Sequence, residues 1–150
     1  MVRIYLDNCC YNRPYDDQER FDVALEAQCK LHIQEWIKAG KFSLVASYML
    51  RYECNANPYE MRRNAIQEYI QENTSVYVGD ERKKEVETRA AAIMATGIKF
   101  KDACHVAAAV FAGCEYFIST DKRLLKYKTS EIKMVTPVQF VMDMEEKQHV

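Results

Sequence analysis

Hydrophobic and polar positions along the chain change period repeatedly, and each change marks an element. Residues 2–6 form a compact strand candidate, and Asn12-Arg13-Pro14 interrupts the chain soon after it. Asp16 or Asp17 can cap the long helix expected next, which reaches Ala39-Gly40. Phe21, Leu25, Cys29, Ile33, Trp36 and Ile37 share one of its faces at helical spacing. Residues 42–46 read as a second strand, and Ser47 has the chemistry to cap a helix running to about Asn55. Beyond Asn57-Pro58, another helix should turn Met61, Ala65, Ile66 and Tyr69 inward. Residues 75–78 are a third strand, and a charged helix over 80–96 ends at Gly97. A small-residue helix over about 101–112 closes at Gly113. Residues 115–119 make a fourth strand, a short helix comes after Asp121, and residues 132–135 make a fifth strand. Pro137 opens a last helix, with Phe140 and Val141 on its apolar side.

Strands alternating with helices in this way predict an α/β fold, a parallel sheet of about five strands with helices on both faces. The pattern does not fix the strand order. At 150 residues the chain fits one domain, 1–150, and at 49% hydrophobic and 29% charged it can bury a core. No apolar stretch approaches the roughly 20 residues that span a bilayer, so no membrane role is expected. Asp7 arrives too early for a signal-peptide core. Cys9, Cys10, Cys29, Cys54, Cys104 and Cys114 therefore read as reduced thiols in a cytoplasmic protein. With 21 basic and 22 acidic residues the net charge is −1, so no global positive field draws the chain to nucleic acid. Any such binding has to be local.

Candidate chemistry concentrates on acids at element ends. In open α/β sheets ligands bind beyond the carboxyl ends of strands, and Asp7 and Asp121 each come directly after a strand. A carboxylate there is costly without compensation, which a cation supplies, but either residue could equally cap a helix. Glu53 shares a helix face with Met49 and Leu50, as part of a pocket wall or paired with Arg51 or Arg62. Asp102 opens an alanine-rich helix, where the macrodipole alone would favour an acid. His105, one turn on, is a ligand, a base or a core histidine, and its apolar flanks favour the core. Cys9-Cys10 with Cys104-His105 lacks the paired spacing of a zinc site.

Taken in order, these pieces are strand–Asp, strand–Ser–helix with Glu, Asp-Ala opening an alanine-rich helix, and strand–Ser-Thr-Asp. The chain thereby resembles the PIN-domain nucleases from end to end, and in particular their toxin-type ribonucleases. The resemblance is carried by YLDN near the start, KDACHVAAAVFAGCEYFISTDKRLLKY over 101–127 and MVTPVQFV over 134–141. It implies a three-layer α/β/α fold and makes Asp7, Glu53, Asp102 and Asp121 a catalytic, metal-holding acidic cluster. Asn8, Ser47, Thr120 and His105 become neighbours that orient ligands or water. Oxygen-only ligands suit Mg²⁺ or Mn²⁺, which would activate a water for in-line attack on a phosphodiester. The implied activity is an endoribonuclease leaving a 5′-phosphate and a 3′-hydroxyl.

With four acids committed to metal, 21 basic residues face 18 acidic ones, a balance of +3. RNA contacts are expected from Arg13, Arg51, Lys101, Lys122 and Arg123 around the acid mouth. The resemblance further implies the toxin half of a toxin–antitoxin pair, a homodimer and an antitoxin partner. Two stretches depart from the family pattern. Residues 8–14 replace small or aliphatic positions with Asn-Cys-Cys-Tyr-Asn-Arg-Pro, and Lys122-Arg123 stands where some relatives carry another acid. A catalytically inactive PIN-fold module that binds RNA or protein is the alternative from another class. A phosphohydrolase would need a second acid two residues after its nucleophilic aspartate, and Asp7-Asn8-Cys9 has none.

Overall fold

A computed structural model describes residues 1–148. Among these residues, five short strands form one parallel sheet: β1 (Arg3–Leu6), β2 (Ser43–Ser47), β3 (Thr74–Val78), β4 (Tyr116–Ile118) and β5 (Lys133–Val135). Seven helices among them connect or succeed the strands: α1 (Asn8–Asn12), α2 (Phe21–Lys38), α3 (Tyr48–Asn55), α4 (Glu60–Asn73), α5 (Lys83–Met94), α6 (Phe100–Phe111) and α7 (Pro137–Gln148). The spatial strand order is β3-β2-β1-β4-β5. From β1 the chain steps outward twice to β3, then returns to the other flank of β1 for β4 and β5. The order therefore reverses between β1 and β4, and the segments leaving them pack on opposite faces of the sheet, Cys10 and Tyr11 on one and Leu124 on the other, with a crevice beyond the strand ends.

The sheet is buried on both faces because side chains alternate along each strand. Tyr5, Val45 and Phe117 face a cluster built with Val86, Ala90 and Ile93 of α5 and the alanines of α6. Ile4, Leu6, Leu44, Ala46, Tyr116 and Ile118 face the opposite cluster, with Ile33, Trp36 and Ile37 of α2 and Phe140 of α7. The fold is thus three-layered α/β/α, as expected. Ala103, Ala107 and Ala108 are fully buried, so α6 lies close against the sheet and its first turn is held firmly. Among the described residues no helix is long and apolar enough to cross a membrane.

Two helices depart from the expected pattern. The long helix begins at Phe21 rather than after Asp16 or Asp17, because residues 8–15 form α1 and a 3-10 turn. Asp16 pairs with Arg13 at 3.2 Å instead of capping a helix. Phe21 is exposed, Leu25 and Cys29 are half-buried, and the charged Glu26 and Lys30 are buried on the inward face. In α4 only Ile66 is fully buried, whereas Met61 and Ala65 face out. Ser47 caps α3 as its chemistry suggested, its hydroxyl accepting from Leu50 N at 3.2 Å.

Candidate active site

The crevice between β1 and β4 is closed at its floor by hydrogen bonds from both strand ends. Asp7 donates its backbone N–H to Ile118 O (2.9 Å), which locks the chain leaving β1 against β4. Its carboxylate is buried, accepting from Asn8 N at 2.8 Å and from the Ser119 hydroxyl at 2.8 Å, with Cys9 Sγ at 3.4 Å. The Ser119 oxygen in turn accepts from Asp121 N at 3.0 Å. One serine at the end of β4 therefore couples the two acids that leave adjacent strands. Asp121 keeps one carboxylate oxygen on the backbone N–H groups of Arg123 (3.0 Å) and Leu124 (3.3 Å), so it also caps the next turn of the chain.

Glu53 and Asp102 reach the same place from helices. Asp7, Glu53, Asp102 and Asp121 line one cavity of about 350 Å³, together with Asn8, Cys9, Asn12 and Asp16. Four acids far apart in sequence thus converge at the switch point, joined by Asp16. Burial, and then the negative charges of Asp7 and Asp121, push the Asp102 carboxyl above its ordinary range. Of the acids that line the cavity, Asp16 has an arginine against it, Arg13 at 3.2 Å; elsewhere in the molecule arginine side chains lie against Glu26, Asp22, Glu85 and Glu131. Among the described residues no lysine or arginine forms an ion pair with Asp7 or Asp102.

A buried relay holds Glu53. His105, fully buried, contacts Glu53 through Nε2 and the Tyr5 hydroxyl through Nδ1 (2.6 Å). The Tyr5 hydroxyl also meets Ser47 Oγ at 2.7 Å. With a neutral imidazole, donors run from Ser47 to Tyr5 to His105 Nδ1, leaving Nε2–H for Glu53. With His105 protonated, the first two bonds reverse and Nε2–H still faces Glu53. Burial disfavours charge on His105. The Glu53 hydrogen bond and the nearby carboxylates outweigh it and hold the imidazole above its usual range. Burial also opposes ionisation of Glu53, yet His105 and Lys101 hold its carboxyl below the ordinary value.

The sequence-based expectations map onto this geometry unevenly. Asn8 and Thr120 touch the site through backbone N–H groups, Asn8 to Asp7 and Thr120 to Cys9 Sγ at 3.3 Å. Ser47 reaches it indirectly, through Tyr5 and His105. Arg13 pairs with Asp16 and with Glu26 (3.1 Å) and lines the same groove as Lys122 and Arg123. Arg51 lines a separate hollow between α3, α4 and β3. Lys101 lies 5.3 Å from the centre of the Tyr52 ring. Lys122 and Arg123 line a groove of about 750 Å³ that shares Asp102 and Asp121 with the acid cavity, and Arg20, Lys99 and Lys126 join them there. Sequence reasoning missed Tyr5, Cys9, Asp16 and Ser119. Alternation along β1 puts Tyr5 on the α6 side, and Ser119 sits at a strand end beside the fourth acid; Asp16 read as a helix cap and Cys9 as a thiol without zinc spacing, and neither pattern pointed to the acid cluster.

The donor set tests whether a divalent cation suits this place. Every carboxylate presents oxygen, and burial together with the negative charges of Asp7 and Asp121, which raise Asp102, is what a cation would offset. As placed, no three His, Cys, Asp or Glu side chains among the described residues stand together in a metal-holding group. The residues fit a cation in chemistry and charge, and closing a ligand shell would require side-chain adjustment.

No family model matches the chain, and no curated protein does. Among solved structures, the chain is similar to one in the crystal structure of VapBC2 from Rickettsia felis bound to a DNA fragment from their promoter. The likeness has a TM-score of 0.54 at 8% identity and covers 91% of this chain and 98% of that one. At that identity it shows the fold alone.

Proposed function

We propose that the protein is a metal-dependent endoribonuclease of the PIN type. The observation that carries this reading is the convergence of Asp7, Glu53, Asp102 and Asp121 on one cavity that adjoins a cation-lined groove. A single strand of RNA fits such a pair of hollows: Arg20, Lys99, Lys122, Arg123 and Lys126 meet phosphates, and the acids wait at the groove's end. Asp7, Glu53, Asp102 and Asp121 would hold Mg²⁺ or Mn²⁺. When bound, the ion supplies an activated water and offsets charge on the phosphodiester. The chain's own part is placement. Ser119 and Asn8 fix Asp7, the Tyr5–His105 relay fixes Glu53, and the close-packed start of α6 fixes Asp102. The expected products carry a 5′-phosphate and a 3′-hydroxyl.

We extend the proposal to a toxin of a toxin–antitoxin pair with an antitoxin partner, in keeping with the likeness to a VapBC2 chain; a homodimer acting in the cytoplasm is what the resemblance read from the sequence adds. A second reading, a PIN-fold binding module without catalysis, is favoured by one observation. The acids as placed form no three-ligand group among the described residues.

Cleavage of RNA with Mg²⁺ or Mn²⁺ separates the two readings. Under the nuclease reading, the unsubstituted protein cleaves, and Asp7→Asn, Asp102→Asn or EDTA each abolishes cleavage. A protein that binds varied RNAs with ample metal and leaves them intact supports the binding module instead.

A further inference from the structure

Two exposed tyrosine rings belong to residues linked to the acid cavity's lining, and one arginine ties them together. Tyr15 is 45% exposed and Tyr59 62% exposed. The Arg62 guanidinium carbon lies 4.9 Å from the centre of the Tyr15 ring and 4.6 Å from that of Tyr59. Arg62 Nη2 also donates to Tyr15 O at 3.3 Å. The backbone of each tyrosine is linked to a residue that lines the cavity. Asp16, the next residue after Tyr15, lines the cavity. Asn57 accepts from Tyr59 N at 3.0 Å and donates through Nδ2 to Asn12 Oδ1 at 3.0 Å, and Asn12 lines the cavity as well. Consecutive Cα atoms are about 3.8 Å apart, so the rings begin within a residue or two of anchored positions.

We propose that Tyr15 and Tyr59, held by Arg62, form a base-stacking platform for single-stranded RNA at the rim of the acid cavity. This rests on the nuclease reading and names its substrate class as unpaired RNA. Aromatic faces accept any base, and cation–π contact with Arg62 fixes the rings with little further loss of side-chain freedom on binding. The cavity is then flanked by two complementary surfaces. The groove around Lys122 and Arg123 takes phosphates, and the tyrosines on the Asp16 side take bases. A continuous A-form duplex keeps its bases stacked on one another and offers none to the platform.

A purely structural role for the arginine would be to pin α4 to the turn after α1. It predicts a loss of stability on substitution and no discrimination between RNA forms. The two are separated by titrating Asp102→Asn protein, which leaves RNA intact, with a short unstructured RNA and with the same sequence as a duplex. Tyr59→Ala and Tyr15→Ala are each expected to weaken single-strand binding by roughly 5- to 100-fold while leaving duplex binding nearly unchanged. Tyr59→Phe keeps the ring and should retain binding, and thermal unfolding checks that each variant is folded. Equal loss on both RNA forms, no loss on either, or failure of Tyr59→Phe to retain binding overturns the platform. Cleavage by the unsubstituted protein with tyrosine-indifferent binding overturns the platform and keeps the nuclease. Tyrosine-dependent binding without cleavage does the reverse. If no RNA binds, both readings fall.

Discussion

Tyr5→Phe removes one oxygen from the middle of the buried relay and should be among the more damaging conservative changes in the protein. Tyr5, Ser47 and His105 are all fully buried, so neither former partner can turn to water. Without the hydroxyl, His105 Nδ1 has no 2.6 Å partner and Ser47 Oγ no 2.7 Å partner. An unsatisfied buried polar group costs about 1–3 kcal/mol. Ser47 keeps its bond from Leu50 N, so its penalty lies at the low end, and a net loss of roughly 2–4 kcal/mol is expected. Against a typical total of about 5–15 kcal/mol this is a large fraction. For a chain of this size it lowers Tm by roughly 4–15 °C.

Urea unfolding reads the change as a shifted midpoint at constant slope. A cycle with Ser47→Ala isolates the shared bond, because loss of the α3 cap enters both arms and cancels. A coupling of about 0.5–3 kcal/mol is expected. A Tyr5→Phe protein within about 0.5 kcal/mol of the unsubstituted one would refute the relay.

Lys30 is buried beneath Tyr11 and Tyr69, and burial lowers its pKa from 10.5 to about 8. Between those values the unfolded chain binds more protons than the native one, so this residue's contribution to stability rises with pH across that window. At about 1.36 kcal/mol per pH unit the charged lysine costs roughly 3 kcal/mol at neutral pH; Lys30→Met should recover part of it, with a gain that fades above about pH 10. Chemical unfolding at several pH values tests this, and destabilisation at pH 7 would contradict it. Gly113 has φ +74 with only Arg3 Nη1 at 3.9 Å from an added Cβ, so Gly113→Ala should cost about 1–2 kcal/mol through backbone strain, seen as an earlier melt. Replacing Lys122 and Arg123 by alanine should weaken RNA binding and flatten its logarithmic salt dependence by about 0.7 for each phosphate no longer neutralised. An unchanged slope in a binding titration would remove both residues from the RNA path. Mn²⁺ at roughly a hundredfold excess over its Kd should stabilise the unsubstituted protein by about 2.7 kcal/mol in a thermal shift assay. Asp102→Asn should raise Tm without metal and blunt the response; an equal response in both proteins would take Asp102 out of the cation site.

Elements were legible in the sequence where local chemistry and burial agree. Ser47 caps α3, Gly113 ends α6 in the left-handed region, and the strand runs lie where their apolar residues put them. The start of α2 was misread because Asp16 has capping chemistry, but tertiary contact with Arg13 claims it. Helical spacing put Phe21, Leu25 and Cys29 on the apolar face of α2, whereas Glu26 and Lys30 are the residues buried there. Glu26 is drawn in by Arg13 at 3.1 Å, and Lys30 by two tyrosine rings and Gln34. The site was partly visible: acids at strand ends and in first helical turns are local signals. Their convergence is not local. It depends on β4 returning beside β1, which strand pattern alone does not specify, and that return brings Ser119 to Asp7 across 112 positions.

The electrostatics of the crevice separate this cluster from the rest of the surface. Elsewhere the chain places arginine against acids, as in Arg13 with Glu26, Arg20 with Asp22, or Arg89 with Glu131. At Asp7, in the crevice, it uses neutral donors. Asp7 is held by a serine hydroxyl and a backbone N–H, and its nearest ion-pair candidate, His105 Nε2, is 4.0 Å away and already turned to Glu53. Neutral donors orient a carboxylate without cancelling its charge, so the negative potential survives burial and falls on Asp102. An arginine in the same position would stabilise the fold more and extinguish that potential. A fold that tolerates uncompensated carboxylates at its strand ends, while compensating others a few residues away, keeps a place where positive charge is held by whatever binds there.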